Sequence, residues 1–97
     1  MKLAVNCYSA TGGFPNGEVY GMTSQIRRSG ASIAANVAEG HGRESTGAFI
    51  QFLRAAQGSL KELETHLILC GEVRLMVEAE VASLLGQTDE IGKSCVR

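Results

Sequence analysis

The sequence predicts an all-α fold, an antiparallel up-and-down four-helix bundle, on three observations. Apolar residues recur at steps of three and four in long segments. Strand-like alternation is absent over any useful length. Short turns separate successive segments that each carry one apolar seam, so neighbouring helices must run antiparallel to bury those seams against one another. A chain of 97 residues fits one domain, read here as 1–97 with helices at about 1–10, 22–39, 46–71 and 77–95. With 44% hydrophobic and 20% charged residues it has the profile of a folded chain rather than a disordered one.

The first segment places Met1, Val5 and Tyr8 on one face, with Leu3 and Ala4 beside them, and reads as a helix entered part-way along. The cluster Thr11-Gly12-Gly13-Phe14-Pro15-Asn16-Gly17 holds the single proline and ends it. In the second segment Met22, Ile26, Ile33 and Val37 form a core-facing stripe, with Ser29 and Gly30 filling the intervening turn. Gln25, Arg28, Ser32, Asn36 and Glu39 recur on what reads as the opposite side, flanked by Ala31, Ala34, Ala35 and Ala38. Gly40 stands where a left-handed C-cap is expected, and Gly42 gives the turn further freedom.

Ser45 or Thr46 is the N-cap of the third helix, whose Phe49, Phe52, Leu53, Ala56, Leu60, Leu63, Leu67 and Cys70 run at near-heptad spacing. It is the strongest pattern in the chain, a rod of about 39 Å at the helical rise, and Gly71 is placed to end it. The fourth segment repeats the logic with Val77, Val81, Leu84, Thr88, Ile91 and Cys95, weakened by Gly86 and Gly92.

Composition narrows the function. Nine basic against ten acidic residues leave a formal charge of −1, so no global basic field recruits phosphate backbones and any nucleic-acid site must be local. Cys7, Cys70 and Cys95 are an odd number at wide spacing, which fits reduced, buried thiols in a cytoplasmic setting better than disulfides or a zinc knuckle. No apolar run is long enough to span a membrane, and the start lacks the charged lead and cleavage site of a signal peptide.

The chemistry-bearing candidates are few. A di-metal carboxylate bundle needs Glu-x-x-His pairs on facing helices; here Glu62 and His66 are four apart, the spacing of an ordinary helix-surface contact. His41 between Gly40, Gly42 and Arg43 matches neither phosphate-loop fingerprint and reads as a helix stop. Cys70 and Cys95 lie on apolar seams, so packing outweighs nucleophilic catalysis. No enzyme activity, metal or cofactor is expected. Arg27, Arg28 and Arg43 are the candidate local basic site, since guanidinium binds phosphate through its fork of donors. The favoured alternative pairs Arg27 or Arg28 with Glu39, Glu62 or Glu64, within the chain or across an interface. Gln25, Arg27, Arg28, Ser32, Asn36, Glu39, Arg43, Glu62 and Glu64 together form the expected oligomer or partner surface.

The succession Phe14-Pro15, Val19-Tyr20-Gly21-Met22-Thr23-Ser24-Gln25-Ile26-Arg27-Arg28, Ser32-Ile33-Ala34-Ala35-Asn36-Val37-Ala38-Glu39-Gly40, Phe49-Ile50-Gln51-Phe52-Leu53 and Glu62-Leu63-Glu64-Thr65-His66-Leu67 resembles the bacterial four-helix bundle proteins also called the 23S rRNA intervening-sequence protein family. The resemblance covers nearly the whole chain and is densest from Phe14 to Glu72. It implies an antiparallel four-helix bundle that assembles into a ring of five subunits, with no established enzyme activity. The family's name comes from reading frames inside insertions in ribosomal RNA genes, and similar proteins accompany the reverse transcriptases of diversity-generating retroelements as RNA- and protein-binding partners. The function expected here is therefore a non-catalytic homopentameric scaffold or adaptor for a neighbouring-gene protein, the alternative being RNA binding by a basic patch of the assembled oligomer. Two departures stand out: Ala34 replaces a proline common in the family, removing a helix kink, and the tryptophan-containing lead that many members carry is not present before Met1.

Overall fold

The computed structural model describes residues 2–18, 21–42 and 45–95, with the side chains of 18, 94 and 95 outside that description. Four α-helices carry these residues: α1 (Lys2–Thr11), α2 (Met22–His41), α3 (Thr46–Glu72) and α4 (Glu78–Cys95). A single 3-10 turn, Asn16–Glu18, follows Pro15 between α1 and α2.

Cross-helix contacts fix the direction of each neighbour. Along α2 and α3, Arg28 meets Glu62, Ser32 meets Ser59 and Gly40 meets Phe52, so residue numbers fall on one helix as they rise on the other. Gly30 faces Ala4 and Cys7 while Arg27 reaches Thr11, which sets α1 antiparallel to α2. Gly71 faces Val81, and the groove lined by Leu60 and Lys61 on α3 is closed by Thr88 and Gly92 on α4, the same relation again. Asn6 donates to Gln87 at 2.9 Å and closes the circle between α1 and α4. The chain is an all-α, up-and-down four-helix bundle.

Its core joins Leu3 and Cys7 of α1, Ile26 and Ile33 of α2, Leu60, Leu63, Leu67 and Cys70 of α3, Leu84 of α4, and Met76 from the turn before it. Each fully buried Leu or Ile contributes about 1.5–3 kcal/mol relative to exposure. Phe14, Met22, Val37, Val81 and Ile91 pack around them half-buried. Cys95, expected on this seam, and Met1, expected on the first, lie outside the described side chains.

Three expectations are corrected. The face of Val5 and Tyr8 on α1 points outward, and the seam is instead Leu3, Cys7 and Thr11. Thr11 can be buried because its hydroxyl donates to the Cys7 carbonyl at 2.8 Å, which satisfies its polar atom within the helix. Gly40 is not a left-handed cap. It is a buried helical residue whose missing side chain admits Phe52, since a Cβ there would stand 3.3 Å from that residue's Cβ; α2 runs on to His41, with Gly42 as C-cap at φ −86°. Val77 precedes α4 and is exposed, and Met76 takes the buried place instead.

At the start of α3, Ser45 is the N-cap, its hydroxyl accepting from the Ala48 N–H at 3.2 Å. At the other end the chain passes Gly71 and turns at Arg74, which sits at φ 61°. The Leu75 N–H donates to the Cys70 carbonyl at 2.9 Å and the Arg74 N–H to the Gly71 carbonyl at 3.3 Å, the paired bonds of a Schellman motif.

α1 and α4 do not cover the full length of the central pair. Because Gly30 lies opposite Ala4 and Cys7, the beginning of α1 reaches only to about the level of Ile33 by the helical rise. Gly92 on α4 is level with Gln57 and Leu60. The far end of the α2–α3 hairpin, with Phe49 and Leu53 half-buried on α3, therefore extends beyond the four-helix region of the described residues and stretches the molecule to 43 × 23 × 18 Å.

Candidate interaction surface

The polar stripe of α2 does not lie on the side remote from its neighbours. It runs along the edge shared with α3, where short polar side chains pair across the helices. Arg28 Nη2 donates to Glu62 Oε1 at 3.2 Å and also to the Gln25 side-chain carbonyl. The Ser29 hydroxyl donates to the same Glu62 oxygen at 3.1 Å. One turn on, the Ser32 and Ser59 hydroxyls share a 2.8 Å hydrogen bond, and Asn36 Nδ2 donates back to the Ser32 carbonyl at 2.9 Å. The favoured pairing of Arg28 with Glu62 is thus present and internal to the chain. Both side chains remain about half exposed or more, so the ion pair contributes at most about 1 kcal/mol.

Arg27 is turned the other way, onto α1. Its Nε donates to the Thr11 hydroxyl at 2.8 Å, its Nη2 reaches the Tyr8 carbonyl at 3.3 Å, and the guanidinium lies 4.7 Å over the Tyr8 ring. That stack is a cation–π contact, worth about 0.5–1 kcal/mol at an exposed site. Glu64 faces α4, 3.7 Å from Lys61 on its own helix. Glu39 is exposed on the last turns of α2, and Arg43 lies outside the described residues. Of the candidates whose neighbours are described, Gln25, Arg28, Ser32, Asn36 and Glu62 share the α2–α3 edge, Arg27 lies on the α1–α2 edge and Glu64 in the α3–α4 groove, so these seven do not converge on one site.

Nor does Glu62 face His66 as a ligand pair. Its carboxylate is directed to α2, while His66 Nδ1 is buried without a hydrogen-bond partner. Among the described residues no three His, Cys, Asp or Glu side chains gather as a metal site. Cys7 and Cys70 are buried thiols that form no disulfide. Burial raises the pKa of Cys7 to about 11, far from the activated range of a nucleophile. His41 packs edge-on against Phe49, 5.9 Å between ring centroids. No helix among the described residues is long and apolar enough to cross a membrane.

What sequence reasoning missed is apolar and on the outside. Val5 is 61% exposed and Tyr8 50% on α1, and Ile68, Leu69, Val73 and Val77 are exposed where α3 passes into α4. Ile68 also lines a groove of about 510 Å³ with Val81, Ala82 and Leu85, bordered by Glu72 and Glu78. The signal was present in Ile68 and Leu69, which fall outside the Leu60, Leu63, Leu67, Cys70 register and have no place in a one-seamed helix.

Comparison with known proteins agrees with this architecture. The family of 23S rRNA-intervening sequence proteins matches residues 1–97. A crystal structure of a protein with unknown function from the S23 ribosomal protein family of Bacteroides thetaiotaomicron is similar with a TM-score of 0.83 and 29% identity, covering 96% of this chain and 84% of that one. No curated protein matches. A match over the whole length, together with a shared bundle, places the chain as a member of the 23S rRNA-intervening sequence protein family.

Proposed function

We propose that the protein is a non-catalytic scaffold or adaptor that works as a homo-oligomer, a ring of five copies, holding a protein partner encoded nearby. The observation that carries this reading is apolar surface left uncovered by a single copy. A compact monomer of 10.3 kDa exposes about 5,400 Å², whereas this chain exposes 6057 Å². Its elongation agrees, with a radius of gyration of 13.7 Å against about 12.5 Å for a globular chain of this length. Large side chains such as Val5, Val73 and Val77 account for part of the exposed area, and contiguous apolar patches on soluble proteins mark interaction sites.

The test is solution mass by light scattering across micromolar concentrations. About five times 10.3 kDa is expected, and a mass that stays at one chain throughout defeats the reading.

RNA binding draws less support from the same side chains. Arg28 already commits Nη2 to Glu62 and Gln25, and Arg27 commits Nε and Nη2 to Thr11 and the Tyr8 carbonyl, so part of each guanidinium is engaged within the chain before any phosphate arrives. Titration with labelled RNA at low salt, where electrostatic contacts are strongest, is expected to show only weak binding. Tight binding there reverses the ranking of the two functions.

A further inference from the structure

We infer that assembly is head-to-tail: the α1 face carrying Val5 and Tyr8 of one copy docks on the end of the next copy that carries Leu69, Val73 and Val77. This deepens the oligomer reading and rests on it. Three observations select these faces.

The first is apolar exposure. Val5 and Tyr8 are 61% and 50% exposed on a ten-residue helix whose opposite side is core. Leu69 and Val73 lie one turn apart at the end of α3, and Val77, 72% exposed, closes the same turn just before α4. The second is charge. α1 carries Lys2 and no acidic residue, and the Arg27 guanidinium lies over its Tyr8 ring, which gives that rim two positive charges. The segment from 69 to 80 carries Glu72, Glu78 and Glu80 against Arg74, a surplus of two negative charges. Opposed rims of this kind steer the encounter and fix its register more than they add affinity.

The third is placement. α1 neighbours α2 and α4 and lies diagonally across the shared core from α3, so the outward faces of α1 and α3 point to different sides of the bundle and one copy cannot close one patch with the other. Two distinct complementary patches make a heterologous contact, and a heterologous contact generates a closed ring when its rotation closes. The polar stripe of α2 has no part in it, because its groups are already paired with α3.

The experiment uses Val5→Asp and Val77→Asp, each placing a charge on one exposed patch only. Circular dichroism first checks that both retain the helical fold, as their exposure predicts. Light scattering is expected to show the wild type assembled and each variant reduced about five-fold to a single chain. An equimolar mixture at high concentration should rise towards twice the single-chain mass and no further, because the intact α1 face of Val77→Asp meets the intact turn of Val5→Asp. A wild type that is itself a single chain sinks the oligomer reading along with this one. An assembled wild type with both variants still fully assembled leaves the oligomer standing and overturns the faces assigned here. A mixture that stays at single-chain mass up to millimolar concentration overturns the head-to-tail arrangement. If either aspartate unfolds the chain, Lys2→Glu and Glu78→Lys replace them. Each alone should raise the concentration needed for assembly several-fold and the double variant should bring it back, whereas a double variant worse than both singles rejects the pairing of the rims.

Discussion

Arg74 holds the left-handed backbone position that ends α3, at φ 61°. An L-residue there costs about 1–2 kcal/mol against its Cβ, while glycine loses back roughly 0.5–1 kcal/mol through its freer unfolded chain. The net sign favours glycine, so Arg74→Gly is expected to stabilise the chain by about 0.5–1 kcal/mol, read as a higher urea midpoint with unchanged slope. A midpoint that falls would mean that the arginine head contributes a contact worth more than the backbone strain. Cys7 makes a second prediction at this scale. Its pKa is raised by burial to about 11 from 9.0, so the folded state keeps the thiol proton more firmly than the unfolded chain does. Stability from this group is therefore complete below pH 9 and is lost as pH rises through 11, by as much as about 2–3 kcal/mol. Unfolding measured from pH 8 to 11 should show that decline, and Cys7→Ala should flatten it. Peptide mapping after alkylation at pH 8 should find Cys7 unmodified until denaturant is added.

Helices approach one another closely where their residues are small, and this is the part of the fold least legible in sequence. The existence of the long helices was plain, because Leu60, Leu63, Leu67 and Cys70 repeat without interruption. The polar stripe of α2 was placed opposite the core and read as an oligomer or partner surface because polar groups on one face suggest an intermolecular seam, yet Ser32 meets Ser59 across the seam within one chain. Gly40 was read as a stop because glycine ends many helices, but here its role is to admit Phe52. The α1 seam was misread because Thr11, the buried residue, is polar by type while Val5, the exposed one, is not. Two glycines separate the local and the tertiary contributions. Gly86 on α4 has open space where a Cβ would stand, so Gly86→Ala is expected to gain about 0.5–1 kcal/mol of helix propensity. Gly30 faces Cys7 Sγ at 3.3 Å and the Ala4 Cα at 3.5 Å. Gly30→Leu should push α1 off α2 and cost about 1–3 kcal/mol or more by overpacking. Thermal melts of the pair that move in the same direction would show that α1 is not seated on Gly30.

At the scale of the whole molecule, the core is concentrated where four helices overlap, and the described hairpin continues past it on two. The buried residues run from Leu3 to Leu84 around α3, whereas Phe49 and Leu53 stand on the hairpin beyond the reach of α1 and α4. A small domain with that distribution has little stability to spare, since a core of this size leaves only a few kcal/mol above the entropy of the chain. Assembly then contributes to folding itself: any partner that binds the folded state alone stabilises it in proportion to the logarithm of its concentration. For a homo-oligomer that partner is the protein, so the melting temperature should depend on how much protein is present. Raising the chain concentration a hundred-fold should raise the melting temperature by several degrees in the wild type. The Val77→Asp variant should melt at a temperature independent of concentration, because it has lost the contact without losing its core; an aspartate in front of α4 also caps that helix, so the readout is the loss of concentration dependence and not the absolute melting temperature. A wild type whose melting temperature is flat over that range would mean that each copy is stable alone, and the exposed apolar faces would then belong to a partner other than the chain itself.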